Sequence, residues 1–120
     1  MKCIITLILL MFPMIIYAEE PSKKHIKYYV EKTYGKKAKQ INWIIEKESN
    51  FKVNARNGSC IGLMQINTKI WLSKDPKYNL IKLGVIKSKK DLYKFRSNIR
   101  AGVYILRFYN WNYRKYRGVK

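Results

Sequence analysis

Glu46 and Glu48 stand two residues apart near the end of a segment, residues 37–49, whose isoleucines set its phase. Ile41, Ile44 and Ile45 recur at i, i+3 and i+4, the spacing of one helix face, and Glu48 falls at i+7 on that same face. At about 100° per residue, Glu46 lies roughly 200° around the helix from Glu48, and Lys47 roughly 100°. Glu46 is thus the ordinary solvated carboxylate and Glu48 the one aimed inward. A carboxyl group among isoleucines and Phe51 loses hydration in its charged form. Its pKa is then expected to rise, so that it holds a proton near neutral pH, as a general acid must. The plainer alternative is a glutamate at a helix end that has turned out to water.

Other chemistries find little support. Glycosidases that use two carboxylates need the second within about 5–9.5 Å of the first, and substrate-assisted enzymes are the exception. Glu46 faces away, and Asp75 and Asp91 lie in segments whose spacing does not aim them at Glu48. The only histidine, His25, is in the first helix, which argues against a Ser-His-Asp arrangement. His25 and Cys60 together do not make a zinc ligand set, and no Gly-Lys phosphate loop is present, so neither metal nor cofactor is expected.

The elements around Glu48 can be read from punctuation and period. Pro21 and Ser22 open a first helix with Ile26, Tyr29 and Val30 as its stripe, stopped near Tyr34-Gly35. After the Glu48 helix, residues 51–59 are polar, with Asn54, Asn57 and Gly58 as turn formers of a surface loop or short β-hairpin. Residues 61–66 include Gly62, a sign of close backbone approach, and a short helix over 68–73 is capped by Asn67 or Thr68. Asp75-Pro76 breaks it, and residues 77–90 form an irregular basic segment. One long final helix is expected over 97–113, with Ile99, Gly102, Val103, Leu106 and Asn110 on one face. Its far end mixes Trp111, Tyr113 and Tyr116 with Arg114, Lys115 and Arg117, either to stack on sugars or bases or to pack rings on the core.

The first 18 residues read as a leader. Lys2 precedes an apolar run over 4–17 that ends Ile16-Tyr17-Ala18 before Glu19-Glu20, the plan of a secretory signal peptide cleaved after Ala18. The run is short of the roughly 20 apolar residues a membrane span needs, so no stable membrane insertion is expected once the leader is removed. Removing 18 of 120 residues leaves 102, one small domain over 19–120. Only Cys60 remains in it, which excludes an intramolecular disulfide. With 26 Lys and Arg against 7 Asp and Glu, the net charge is +19. That field favours polyanions such as nucleic acid, anionic lipid or acidic envelope polymers, although a compositional bias toward Lys, Ile, Asn and Tyr produces the same excess. A secreted chain argues against nucleic acid as the partner.

Three blocks in order carry a family resemblance: Glu48-Ser49 with Phe51; Gly62-Leu63-Met64-Gln65-Ile66-Asn67; and Asn98-Ile99-Arg100-Ala101-Gly102 with Tyr104 and Leu106. In these the chain resembles the lytic transglycosylases of the lysozyme superfamily, particularly small secreted members that accompany type III and type IV secretion or conjugation systems. The resemblance implies a mainly α, lysozyme-like α+β fold: a small helical domain with a groove for peptidoglycan glycan strands. It places Glu48 as the catalytic acid and Met64, Gln65 and Asn67 along the groove. It implies cleavage of the bond between N-acetylmuramic acid and N-acetylglucosamine to give 1,6-anhydromuramoyl ends, a periplasmic location after export across the inner membrane, and components of a secretion or conjugation apparatus as further partners. Two alternatives stand beside it, a lysozyme-type hydrolase and a non-catalytic cationic peptidoglycan binder. The family's later block, whose tyrosine bonds near the catalytic glutamate, is expected to be missing. Tyr109-Asn110 echoes it but falls inside the expected final helix, which makes the domain C-terminally incomplete on this reading. Arg56 stands about where many members have a small serine.

Overall fold

The computed structural model describes residues 20–118; the expected leader lies outside them. Helix α1 (Lys23–Tyr34) starts where Ser22 Oγ accepts the amide of His25 at 3.1 Å and stops at Gly35. One turn of 3-10 helix, Gly35–Lys37, leads into α2 (Ala38–Ser49). Ile26 and Val30 of α1 and Ile41, Ile44 and Ile45 of α2 are fully buried, so the two apolar stripes seen in the sequence close on one another.

Helix α2 ends in an unusual way. Asn50 and Phe51 both take positive φ, 51° and 62°, where side chains other than glycine are rare. The double reversal turns the chain at once and tucks Phe51 into the core. Three short antiparallel strands follow: β1 (Arg56–Asn57), β2 (Cys60–Ile61) and β3 (Ile66–Asn67), in the order β1-β2-β3. Asn57 faces Cys60 across the first pair and Cys60 faces Asn67 across the second, so the expected hairpin is present with one strand added. Asn67 caps the short helix α3 (Thr68–Trp71) through its side chain. Trp71, fully buried, meets the rings of Tyr78, Tyr104, Phe108 and Tyr109 edge-on, which fixes α3 and the basic segment against the next helix.

Two turns of 3-10 helix, Pro76–Tyr78 and Lys89–Tyr93, precede α4 (Phe95–Phe108). Asn98 of α4 is buried and serves as a polar hub. Its Oδ1 accepts the amide of Met64 at 2.8 Å, and its Nδ2 donates to the carbonyls of Ile61 and Leu92 at 2.9 and 2.7 Å. Gly62 is required here because a Cβ at that position would collide with the Asn98 side chain and the Leu92 carbonyl. One turn further along α4, Gly102 lies against the Met64 side chain, where a methyl group would have no room. The second and third sequence blocks are therefore two sides of one contact.

The final helix departs from expectation. The long helix expected over 97–113 is two helices, α4 and α5 (Tyr113–Gly118), separated by a turn at 109–112. Asn110 and Trp111 carry positive φ, 52° and 60°, repeating the Asn-aromatic reversal that ends α2. No glycine or proline marks this break; its signals are two asparagines, Asn110 in the left-handed stop position and Asn112, whose Oδ1 accepts the Lys115 amide at 3.0 Å.

Candidate functional site

Glu48 occupies the last turn of α2, half-buried rather than sunk among the isoleucines of its face. Two cavities share it as lining. One, of about 470 Å³, is bounded by Trp43, Lys47, Glu48, Tyr113 and Arg117. The other, of about 440 Å³, runs from Glu48 along Asn57, Ser59, Cys60, Gln65, Asn67 and Lys69. Together they make a cleft that crosses the α2 C-terminus and continues along the small sheet. Among the described residues lining it, Glu48 is the only carboxylate.

The partner that the sequence left Glu48 without is Tyr113, whose hydroxyl donates to Glu48 Oε2 across 65 positions of chain. Burial pushes the Tyr113 phenol above its ordinary pKa, with Arg117 pulling partly the other way, so it remains a proton donor at neutral pH. Its ring is held on two sides. Trp43 of α2 meets it edge-on at 5.1 Å, and Tyr116 stacks on it at 6.1 Å. Tyr116 is itself buried and donates its hydroxyl to the Met64 carbonyl. Helix α5 is thus tied to the second sequence block at one ring and to Glu48 at the next. The reversal at Asn110-Trp111 makes this geometry possible, because an uninterrupted α4 would carry Tyr113 onward along its axis. The expected loss of the tyrosine contact is corrected accordingly, and the aromatic end of the chain divides its work: Tyr116 packs in the core while Tyr113 faces the cleft.

The other residues assigned from sequence separate. Gln65 lines the cleft but is nearly buried, with Oε1 accepting from Asn57 Nδ2 at 2.9 Å and Nε2 donating to the carbonyls of Gly62 and Ala55 at 3.0 and 3.3 Å. It shapes the cleft wall and orients Asn57. Asn67 also lines the cleft. Met64 does not present its side chain there: it is fully buried against Gly102, and its contribution is backbone, through the amide bound by Asn98 and the carbonyl bound by Tyr116. Adjacency in a motif does not fix the direction of a side chain, and Met64 points to the core. Arg56 is exposed and donates to the Gly58 carbonyl within the hairpin. Cys60 lies in the cleft wall, but burial pushes its thiol pKa up, away from a nucleophilic thiolate. His25, on α1, packs edge-on against the Phe95 ring of α4 and lines neither cavity. A hydrolase of the Ser-His or Cys-His kind therefore has no constellation in the cleft.

Residues 27–119 match the transglycosylase SLT domain. The chain belongs to that family. Comparison with the curated proteins and with the solved structures returned no match. The fold is that of a mainly α, lysozyme-like SLT domain, with the three small strands as its β element. Within this SLT domain the sequence reading names Tyr113 only as a ring for stacking or packing and misses its bond to Glu48, and it misses Trp43 altogether. Tyr113 was hidden by the reading of one continuous helix. Trp43 carried a usable signal: it lies on α2 outside the isoleucine stripe and is 46% exposed, unusual for so large a ring.

The Tyr113 contact can be weighed directly. Tyr113→Phe removes one hydrogen bond to a carboxylate while keeping the ring between Trp43 and Tyr116. Such bonds contribute about 1.5–3 kcal/mol, so turnover should fall about 10- to 100-fold. Far-UV circular dichroism should be unchanged and KM little affected, because the phenol acts through Glu48. Full activity in Tyr113→Phe would show that Glu48 needs no such donor.

Proposed function

We propose that this SLT domain is a peptidoglycan lytic transglycosylase, with Glu48 as both acid and base. One observation carries the reading: a single carboxylate, oriented by a half-buried phenol, lies where two cavities meet in the cleft of an SLT fold. A glycan strand laid along the cleft presents its glycosidic oxygen to Glu48. The protonated carboxyl gives its proton to that oxygen as the C1–O bond breaks, and the muramoyl acetamido oxygen bonds to C1 in its place. Glu48, now a carboxylate, takes the proton from the C6 hydroxyl. O6 then bonds to C1 and displaces the acetamido oxygen, leaving a 1,6-anhydromuramoyl end and consuming no water. A second carboxylate is unnecessary because the substrate supplies the nucleophile. The Tyr113 hydroxyl keeps Glu48 aimed at one position through both proton transfers, a positional constraint that matters when one group must serve two steps.

The apolar, leader-like run over 4–17 supports export, and a peptidoglycan substrate is in keeping with a periplasmic location. The sequence resemblance to secretion-associated members supports components of such an apparatus as further partners. The test is the product. Purified peptidoglycan incubated with the protein should release soluble muropeptides bearing anhydro ends, lighter by one water than the reducing-end products of a hydrolase, as read by mass spectrometry. Reducing-end products would replace the transglycosylase with a hydrolase. Salt-sensitive binding to sacculi with no release would leave a cationic glycan binder, in keeping with the net charge of +19.

A further inference from the structure

On the far side of Trp43 from Glu48 lies another cavity, of about 390 Å³, within the range of small-ligand sites. Trp43 lines both this cavity and the Glu48 cleft, so the two are separated by one exposed indole. The lining differs in kind from the cleft. Lys27 and Lys39 supply two cations, and Glu31 and Glu46 supply two carboxylates. In a chain with only 7 acidic residues against 26 basic ones, two acids on one cavity set it apart from the general positive surface. Glu46 is partly engaged by Lys23 at 3.7 Å, at an exposed position where such a pair is weak.

Asn42 contributes a different feature. It lines the cavity, is nine-tenths buried, and its Oδ1 has no hydrogen-bond partner. A buried amide oxygen without a donor is destabilising, and native proteins rarely keep one without a use for it. The oxygen is covered as it stands, so engaging it requires the amide to turn about χ2 toward the cavity. A ligand N–H there would remove the deficit.

We infer that this cavity receives the peptide stem of a peptidoglycan strand whose sugars lie in the cleft. The inference rests on the function proposed above and extends it from the glycan to the peptide. The stem branches from the muramoyl ring through a lactyl ether, and an uncrosslinked stem carries carboxylates, backbone N–H groups and a free amine on its diamino acid. Those groups match, in turn, the lysines, the Asn42 oxygen and the glutamates. Neutral sugars would leave all four charges without a role, and a ligand carrying anions alone would match the two lysines but leave Glu31 and Glu46 without a counterpart. Trp43 is the ridge over which the branch passes, its exposed part offered to the lactyl and alanyl methyl groups.

The test uses the tetrapeptide stem freed from glycan, titrated calorimetrically into the protein and into Asn42→Leu, Glu31→Gln and Glu48→Gln variants. The expected result is weak binding that falls at least tenfold in Asn42→Leu and in Glu31→Gln and is unchanged in Glu48→Gln. Asn42→Leu should keep or raise Tm, since its oxygen has no partner to lose; Glu31 is exposed and its variant keeps the site testable if Asn42→Leu folds poorly. No binding at millimolar peptide, equal binding by the Asn42 and Glu31 variants, or loss in Glu48→Gln would overturn the assignment. Glycan release measured on the same samples separates the two claims: peptide binding without release retires the enzyme and keeps the cavity, and release without peptide binding does the reverse.

Discussion

Glu48→Gln should lower the release of anhydromuropeptides by at least about 10³-fold, with no loss of folded protein. General acid–base catalysis by a positioned group contributes about 10²–10⁴-fold, and here one group is asked to act in both directions, so the upper part of that range applies. Glutamine is nearly isosteric and its carbonyl can still accept the Tyr113 hydroxyl, so α5 should stay docked and Tm should hold. Initial rates on purified peptidoglycan with a parallel thermal melt read both quantities. Adding Tyr113→Phe to Glu48→Gln should cost nothing more, because the phenol's effect passes through the carboxylate; a further loss in the double variant would give the tyrosine a separate catalytic part. Cleavage by Glu48→Gln within tenfold of the parent would sink the acid–base assignment altogether.

The largest effect on stability is expected at Asn98. Asn98→Ala strands the Met64 amide and the Ile61 and Leu92 carbonyls in the core, each previously satisfied by this one side chain. At about 1–3 kcal/mol for each buried group left without a partner, the loss is at least about 3 kcal/mol. That is a large fraction of the about 5–15 kcal/mol that holds a small domain together. Tm should drop by about 12 °C or more, judged by the usual 4–8 °C per kcal/mol for domains of this size. Asn98→Asp is the informative control. It keeps an acceptor for Met64 but sets a carboxylate against two carbonyl oxygens, so it should be no better than alanine. A mild effect for both variants would mean that water satisfies the three backbone groups.

Much of this architecture was written locally. The isoleucines of α2, the Ser22 cap, the Gly35 stop and the Asn67 cap each act within four residues of themselves, and each appears where its spacing placed it. The close approach signalled by Gly62 also has its cause, the Asn98 side chain. Glu48 lies on the expected helix, but periodicity could say only which face it shares, not that its carboxylate stops at the rim of a cleft. What escaped the sequence depends on distant pairing or on a rare backbone state. Tyr113 meets Glu48 only because Asn110 and Trp111 adopt left-handed conformations, a state that Asn110 permits but that Trp111 does not advertise. Met64 faces the core because Gly102, 38 positions later, leaves a gap shaped for it, and no local rule reports that gap.

The separation between Glu48 and Tyr113 ties competence to the order of assembly. Helices α1 and α2 can pair early through neighbouring contacts, whereas the phenol arrives only after a loop of 65 residues has closed. A chain whose α5 has yet to dock would hold its core and its glutamate but not the oriented pair. On the function proposed above, the last step of folding is then also the arming step.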